Sequence, residues 1–289
     1  MPNALNVPRN LLRIAPGLAS AGCYGAMFYV IHINAGRLPA TEIVFLRACV
    51  ALIVLFPFVM GSFRKMMSAA SLPLWIRGIA VELSTVCFTW NLQRTSIGLA
   101  NAIYNVAPLL VLFAAWRIHV ERPSLRRLID FLFIVAGSVV FWMGTSVHAR
   151  VSAGVWAVGA VGVSASVFAA FALKRAVLIW SPYSLAWSMS LAALPVTLAL
   201  KHDVWTMPNR HSFFAIGLIC LLSILAQLLV ATSFKWLEIS TASALVPSSI
   251  VWGVLFEVFG GSFPTPQGLA GCVLYMFGMT RLSMSKPAS

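Results

Sequence analysis

Two ionisable residues stand deep inside apolar runs of this 289-residue chain, Arg47 near the middle of residues 41–60 and Glu82 near the middle of 74–93. A charge among so many apolar neighbours is expensive, which makes each a functional candidate by default. The planar guanidinium fork of Arg47 is suited to a solute carboxylate. Glu82 is suited to a proton or an ammonium group, and it is the one acidic residue deep in the first half, as proton coupling requires. On that reading Glu82→Gln removes the exchangeable proton and leaves the fold intact. The competing reading is a permanent Arg47–Glu82 ion pair that fixes helix packing, each charge making the other tolerable.

Uncharged polar residues form a second group. Asn101, Tyr104 and Asn105 lie three and four apart, so they share one helical face, and Pro108 follows at once. Ser243, Ser248, Ser249 and Trp252 surround a second proline, Pro247. Trp90, Asn91 and Gln93, the tyrosines Tyr24 and Tyr29, and Gln227 add further polar atoms within apolar stretches. Such side chains join helices to one another as readily as they bind a ligand. With Arg47 and Glu82, the candidate substrate contacts are Trp90, Asn101, Tyr104, Asn105, Gln227, Ser243, Ser248 and Trp252. Pro108 and Pro247 are candidate gating positions.

The other reactive residues point away from catalysis and metal binding. His32, His119, His148, His202 and His211 fall at span ends or in loops, none at ligand spacing, and the five cysteines all fall in apolar runs without metal-ligand spacing. Glu42 and Glu257 sit at run ends, where a solvated role is expected, and Glu121 and Asp130 among arginines read as surface partners. Trp156, Trp180, Trp187 and Trp205 suit an interfacial belt. No phosphate-cradling loop, His-Glu-x-x-His or Gly-x-Ser-x-Gly motif is present. No cofactor is implied, and a membrane-embedded enzyme stands only as the rival from another class.

What must position these residues is a membrane bundle. The chain is 60% hydrophobic and 9% charged, against about 25% charged in soluble domains. A spanning helix needs about 20 mainly apolar residues. Spans are expected at 14–33, 41–60, 74–93, 98–117, 127–146, 153–173, 183–200, 212–232, 239–259 and 267–284. The net charge of +13 then records topology and not nucleic-acid binding. With the N-terminus inside, Arg37, Arg94, Arg150, Lys201 and Arg210 fall outside, whereas 14 of the 20 basic residues, Arg77 among them, fall on the cytoplasmic side. Both termini are thus expected in the cytoplasm, and the first span reads as a retained helix.

A cut near residue 150 leaves two units, 1–150 and 151–289, each with five spans. An odd number forces the second to enter the membrane from the opposite face, an inverted-repeat architecture that places a binding site near the midplane. Residues 97–102 followed by Pro108 match residues 239–244 followed by Pro247, and each proline is followed by a proline-bearing loop and a glycine-bearing last span (Gly137; Gly278). Proline frees a helix carbonyl, which is tolerated where neighbours or a cavity satisfy it. In the sixth span Gly154, Gly159, Gly162, Ser164 and Ser166 make a small-sided face suited to a seam between the units.

These pieces resemble the EamA-type family of the drug/metabolite transporter superfamily. The resemblance is carried by residues 40–47, by 96–102 with Pro108-Leu109, by Glu121-Arg122-Pro123 to Gly137, and by Ala242 to Pro247, Glu257, Pro264 and 268–271. Gly260-Gly261 stands where many members have an acidic residue, and Ser190 where a counterpart of Arg47 would fall. The resemblance implies an all-α integral membrane protein with a central cavity between two inverted five-helix repeats. It implies secondary transport, usually export, of amino acids, their derivatives (metallophores included) or other small metabolites. Uptake or exchange of a riboflavin- or S-adenosylmethionine-like compound is the alternative. The expected partners are the small-molecule substrate, the lipid bilayer and protons as coupling ion, with no nucleic acid.

Overall fold

The structure, a computed structural model, describes residues 9–34, 38–68, 71–95, 97–118, 120, 124–144, 152–201, 204–205, 210–261 and 264–284. His119, Glu121, Arg122, Pro123, His148, Arg150 and His202 lie outside the described residues, as do the side chains of His211, Pro247 and Glu257.

All regular structure among the described residues is helical. In chain order the α-helices are α1 (Arg9–Ile33), α2 (Ala40–Val59), a single turn α3 (Phe63–Met66), α4 (Leu72–Arg94), α5 (Ile97–Tyr104), α6 (Ala107–Arg117), α7 (Leu125–Met143), α8 (Ala153–Ala176), α9 (Pro182–Ala199), α10 (Arg210–Trp236), α11 (Ile239–Leu245), α12 (Ser249–Phe259) and α13 (Pro266–Met284). Counting α5 with α6 and α11 with α12 as broken passages gives ten passages, at the ten expected spans. Among the described residues seven stretches are long and apolar enough to cross a membrane; α7, α9 and α13 are the passages outside that set. In α7 the departure has a plain cause, since Arg126, Arg127 and Asp130 all fall within its 19 residues. Large apolar side chains such as Ile53, Phe214 and Phe259 are exposed by 75%, 76% and 84%, a surface that suits lipid and not water.

Both breaks come at proline. In the fourth passage Asn105 N–H still donates to the Asn101 carbonyl at 2.8 Å, but the helix stops at Tyr104 and restarts at Ala107, because Pro108 has no N–H to continue the ladder. In the ninth, a 3₁₀ turn at Val246–Ser248 containing Pro247 separates α11 from α12. α7 and α9 begin with Ser124 and Ser181 as N-caps, whose hydroxyls accept from the N–H of Arg127 at 3.3 Å and Ser184 at 3.1 Å.

The packing repeats with a five-passage offset. α7 lies against α13, α2 against α9, and α6 against α11. α1 packs on α10 just as α8 packs on α4; α4 on α9 as α2 on α10; α1 on α12 as α8 on α5 and α6. The α7–α13 contact is closest at glycine. A Cβ on Gly137 would meet the Tyr275 amide at 2.5 Å, and one on Gly271 would fall on the Phe141 backbone, so only hydrogen fits at either position.

Several charges expected at surfaces are buried. Asp130 is fully buried and accepts from Nε of Arg281 at 2.8 Å, joining α7 to α13. Arg127 pairs with Glu238 between α10 and α11, and Lys174 of α8 donates to the carbonyls of Phe234 (2.8 Å) and Leu237 at the end of α10. Glu42 is buried too. These carboxylates face the bundle because cations or helix ends supply partners that lipid cannot. Trp180 and Trp187 are likewise buried, Trp187 donating Nε1–H to the Leu52 carbonyl at 3.2 Å, so neither belongs to an interfacial belt.

Candidate functional site

A cavity of about 210 Å³ opens between the passages. It is lined from α1, α4, α5, α6, α8 and α10, with single residues from α2 (Arg47), α9 (Met189) and α11 (Ser243), and Val246 and Ser249 beside the break in the ninth passage. Apart from Arg47 and Met189, the lining belongs to the first, third, fourth, sixth, eighth and ninth of the expected spans.

Along α4, residues 77, 81, 84, 85 and 88 fall on one helical face, and all line the cavity: Arg77, Val81, Ser84, Thr85 and Phe88. The adjoining wall is aromatic. Tyr24 stacks on Phe28 with centroids 5.7 Å apart, Phe28 meets Phe88 at 4.5 Å, and Phe88 meets Tyr104 edge-on at 4.8 Å. Tyr104 reaches its place because α8 has glycine opposite. Any Cβ on Gly162 would overlap the Tyr104 hydroxyl, which donates to the Ser84 carbonyl at 3.2 Å. The small residues of the sixth span are thus a receiving surface for the fourth.

The polar atoms divide into engaged and unengaged groups. Nη2 of Arg47 donates to both carboxylate oxygens of Glu82, at 2.8 and 2.6 Å, with the residues 5% and 0% exposed. Asn105 Nδ2 donates to Ser138 Oγ, and Gln227 Nε2 to Ser223 Oγ at 3.1 Å. The carbonyl oxygens Asn105 Oδ1 and Gln227 Oε1 are buried without a protein partner. Ser243 donates to the Ser240 carbonyl at 2.8 Å.

Of the residues singled out in the sequence, the fold brings Arg47, Asn101, Tyr104, Asn105, Pro108, Gln227 and Ser243 to the cavity lining, with Glu82 directly behind Arg47. Three lie elsewhere. The Trp90 ring carries the Arg94 guanidinium at 4.0 Å. Ser248 is turned into the helix break, donating to the Leu245 carbonyl at 2.6 Å. Trp252 is 38% exposed and lies over Gly22 and Gly25 of α1. Its helix is broken just before it, so sequence distance from Ser243 does not carry over into a shared face.

Sequence reasoning missed Arg77. Its position near a span end made it one more topological arginine, yet it is only 4% exposed and faces the cavity. The signal was present: it lies inside the expected third span, and at helical spacing it heads the stripe of Ser84, Thr85 and Phe88. Phe28 and Phe88 were missed as well, since phenylalanine in an apolar helix carries no distinguishing mark.

Passages broken at proline, around a small cavity with polar and aromatic walls inside an apolar exterior, define a multi-pass helical membrane protein. Residues 13–143 match the model of the EamA-like transporter family. That stretch, a little under half of the chain, is similar to transporters of the drug/metabolite type. Among solved structures, one crystal structure aligns over 93% of this chain and 96% of its own, with a TM-score of 0.76 and 16% identity, a likeness of fold. No curated protein matches the sequence.

Proposed function

We propose that the protein is a secondary transporter that exports a small amphoteric metabolite, an amino acid or a derivative of one, across the cytoplasmic membrane, with both termini inside. The observation that carries this reading is the cavity between passages, whose lining joins an aromatic wall to amide and guanidinium groups. Its size favours a small solute. At about 210 Å³ it falls below the roughly 300–1,000 Å³ of pockets for drug-sized ligands, which suits an amino acid better than a flavin or a nucleoside-like cofactor. Export as the direction rests on the family resemblance, and the orientation on the bias of Lys and Arg.

In this reading residues 1–150 and 151–289 are the two inverted repeats, and the five-passage offset in the packing supports the division. The solute sits among Asn101, Tyr104, Asn105, Gln227 and Ser243. The breaks at Pro108 and Pro247 are the bending points that expose it to one face or the other. Arg127–Glu238 and the Lys174 contacts with the end of α10 hold one end of the bundle closed, and Glu82 exchanges a proton as Arg47 releases it.

The test is untargeted metabolite profiling of cells and medium, comparing a deletion strain with an overexpressing one. A compound that rises in the overexpresser's medium and accumulates inside the deletion strain supports export. Depletion from the medium only when the protein is present reverses the direction, and no difference across growth conditions removes the transport reading.

A further inference from the structure

We propose that Arg77 anchors an acidic group of the transported solute, making an acid function the required feature of that solute; this rests on the transport reading above. Of the two guanidiniums at the cavity, that of Arg47 is engaged by both oxygens of Glu82. Arg77 lies within no ion-pair distance of any described carboxylate, and no described carboxylate lines the cavity. Its one protein bond among the described residues is from Nη1 to the Leu185 carbonyl at 3.0 Å, and Nε is buried with no partner among them. Arginine does not give up its proton in proteins, so the Arg47, Glu82 and Arg77 group carries one positive charge in excess.

A buried charge without a counter-charge is costly, and a solute bringing its own carboxylate supplies the missing partner. A neutral solute leaves the excess charge as it was, and a protonated amine adds a second. The same argument moves the carboxylate-binding role, first expected at Arg47, to the residue one and a half turns below Glu82 on α4. The remaining features describe the rest of the solute. Asn105 Oδ1 and Gln227 Oε1 are buried acceptors that call for N–H donors. The Phe28 and Phe88 rings offer a flat apolar face.

The alternative is that Arg77 only fastens α4 to α9 through the Leu185 carbonyl, beside the close approach of Gly78 to Ala192. Solute selectivity separates the two, since a fastening residue does not choose between an acid and an amine. The full-length chain is reconstituted in proteoliposomes, and the flux of labelled phenylalanine, 3-phenylpropanoate (acid alone) and phenethylamine (amine alone) is measured. The wild type is expected to carry phenylalanine and 3-phenylpropanoate and to exclude phenethylamine. Arg77→Gln should lower flux of both acids by about 30-fold or more, the effect of removing one partner of a buried charge pair, and Arg77→Lys should restore part of it.

If Arg77→Gln does not fold, the wild-type ranking and Arg77→Lys still decide. Phenethylamine carried as well as the acids, or an Arg77→Gln variant that keeps its acid flux, overturns the assignment and leaves the transport reading standing. Absence of flux for every solute, together with no metabolite moved in cells, removes the transport reading and this assignment with it.

Discussion

Removing the charge of Glu82 alone should destabilise the protein more than removing the whole ion pair. In Glu82→Gln the guanidinium of Arg47, 5% exposed, loses the carboxylate that both of its short contacts depend on. Breaking a buried pair from one side costs about 3–5 kcal/mol, because the surviving charge stays buried. Glutamine keeps one acceptor, which places this variant near the lower end, about 3 kcal/mol. At roughly 2–4 °C per kcal/mol the midpoint falls by about 6–12 °C. Replacing both residues by apolar ones of similar size, Arg47→Met with Glu82→Leu, removes the desolvation of both ions and returns the midpoint to within a few degrees of wild type. The assay is thermal unfolding of the purified protein in detergent, followed by flux under a proton gradient. A double variant that is stable but no longer driven by protons assigns Glu82 to coupling, whereas one that is stable and still driven leaves the pair a structural fastening. A Glu82→Gln variant that melts with the wild type would refute the energetic argument itself.

Three further outcomes follow from the packing. Gly162→Ala drives a Cβ into the Tyr104 hydroxyl and costs about 1–3 kcal/mol; it should lower both the melting midpoint and solute flux, and unchanged flux would detach Tyr104 from the transport path. Gly271→Ala meets the Phe141 backbone, which cannot swing aside; unfolding in detergent should move down by about 1–3 kcal/mol, and an unshifted midpoint would contradict the close α7–α13 approach. Asp130→Asn removes the partner of Arg281 and should destabilise by about 1–3 kcal/mol in the same assay, where a surface residue would give no change.

Much of this architecture could be read from residue types. Lipid allows only helices with satisfied backbones, so long apolar runs fixed the passages, and prolines within them fixed where two passages break. The Asn101, Tyr104 and Asn105 stripe pointed to the cavity because it lies ahead of the break at Pro108, with the Asn105 N–H still bonded to the Asn101 carbonyl, so helical spacing still determines the face. Trp252 did not, because the 3₁₀ turn around Pro247 resets the helical phase before it. Charges were legible only in the middle of a span. Near the ends, Arg77 and Asp130 look like interfacial residues, and their burial depends on α9 and α13, which are distant in sequence.

The central claim is that the solute passes through the cavity among α4, α5, α8 and α10. Ala170 of α8 lines it, and Ala170→Trp fills much of its roughly 210 Å³ with an indole, whereas Val273→Trp on the 69% exposed face of α13 places the same side chain toward lipid. Both variants are reconstituted, and flux of the solute identified by metabolite profiling is compared with wild type. The account predicts folded protein in both cases, flux abolished by Ala170→Trp and retained by Val273→Trp. Wild-type flux through a folded Ala170→Trp protein would contradict it.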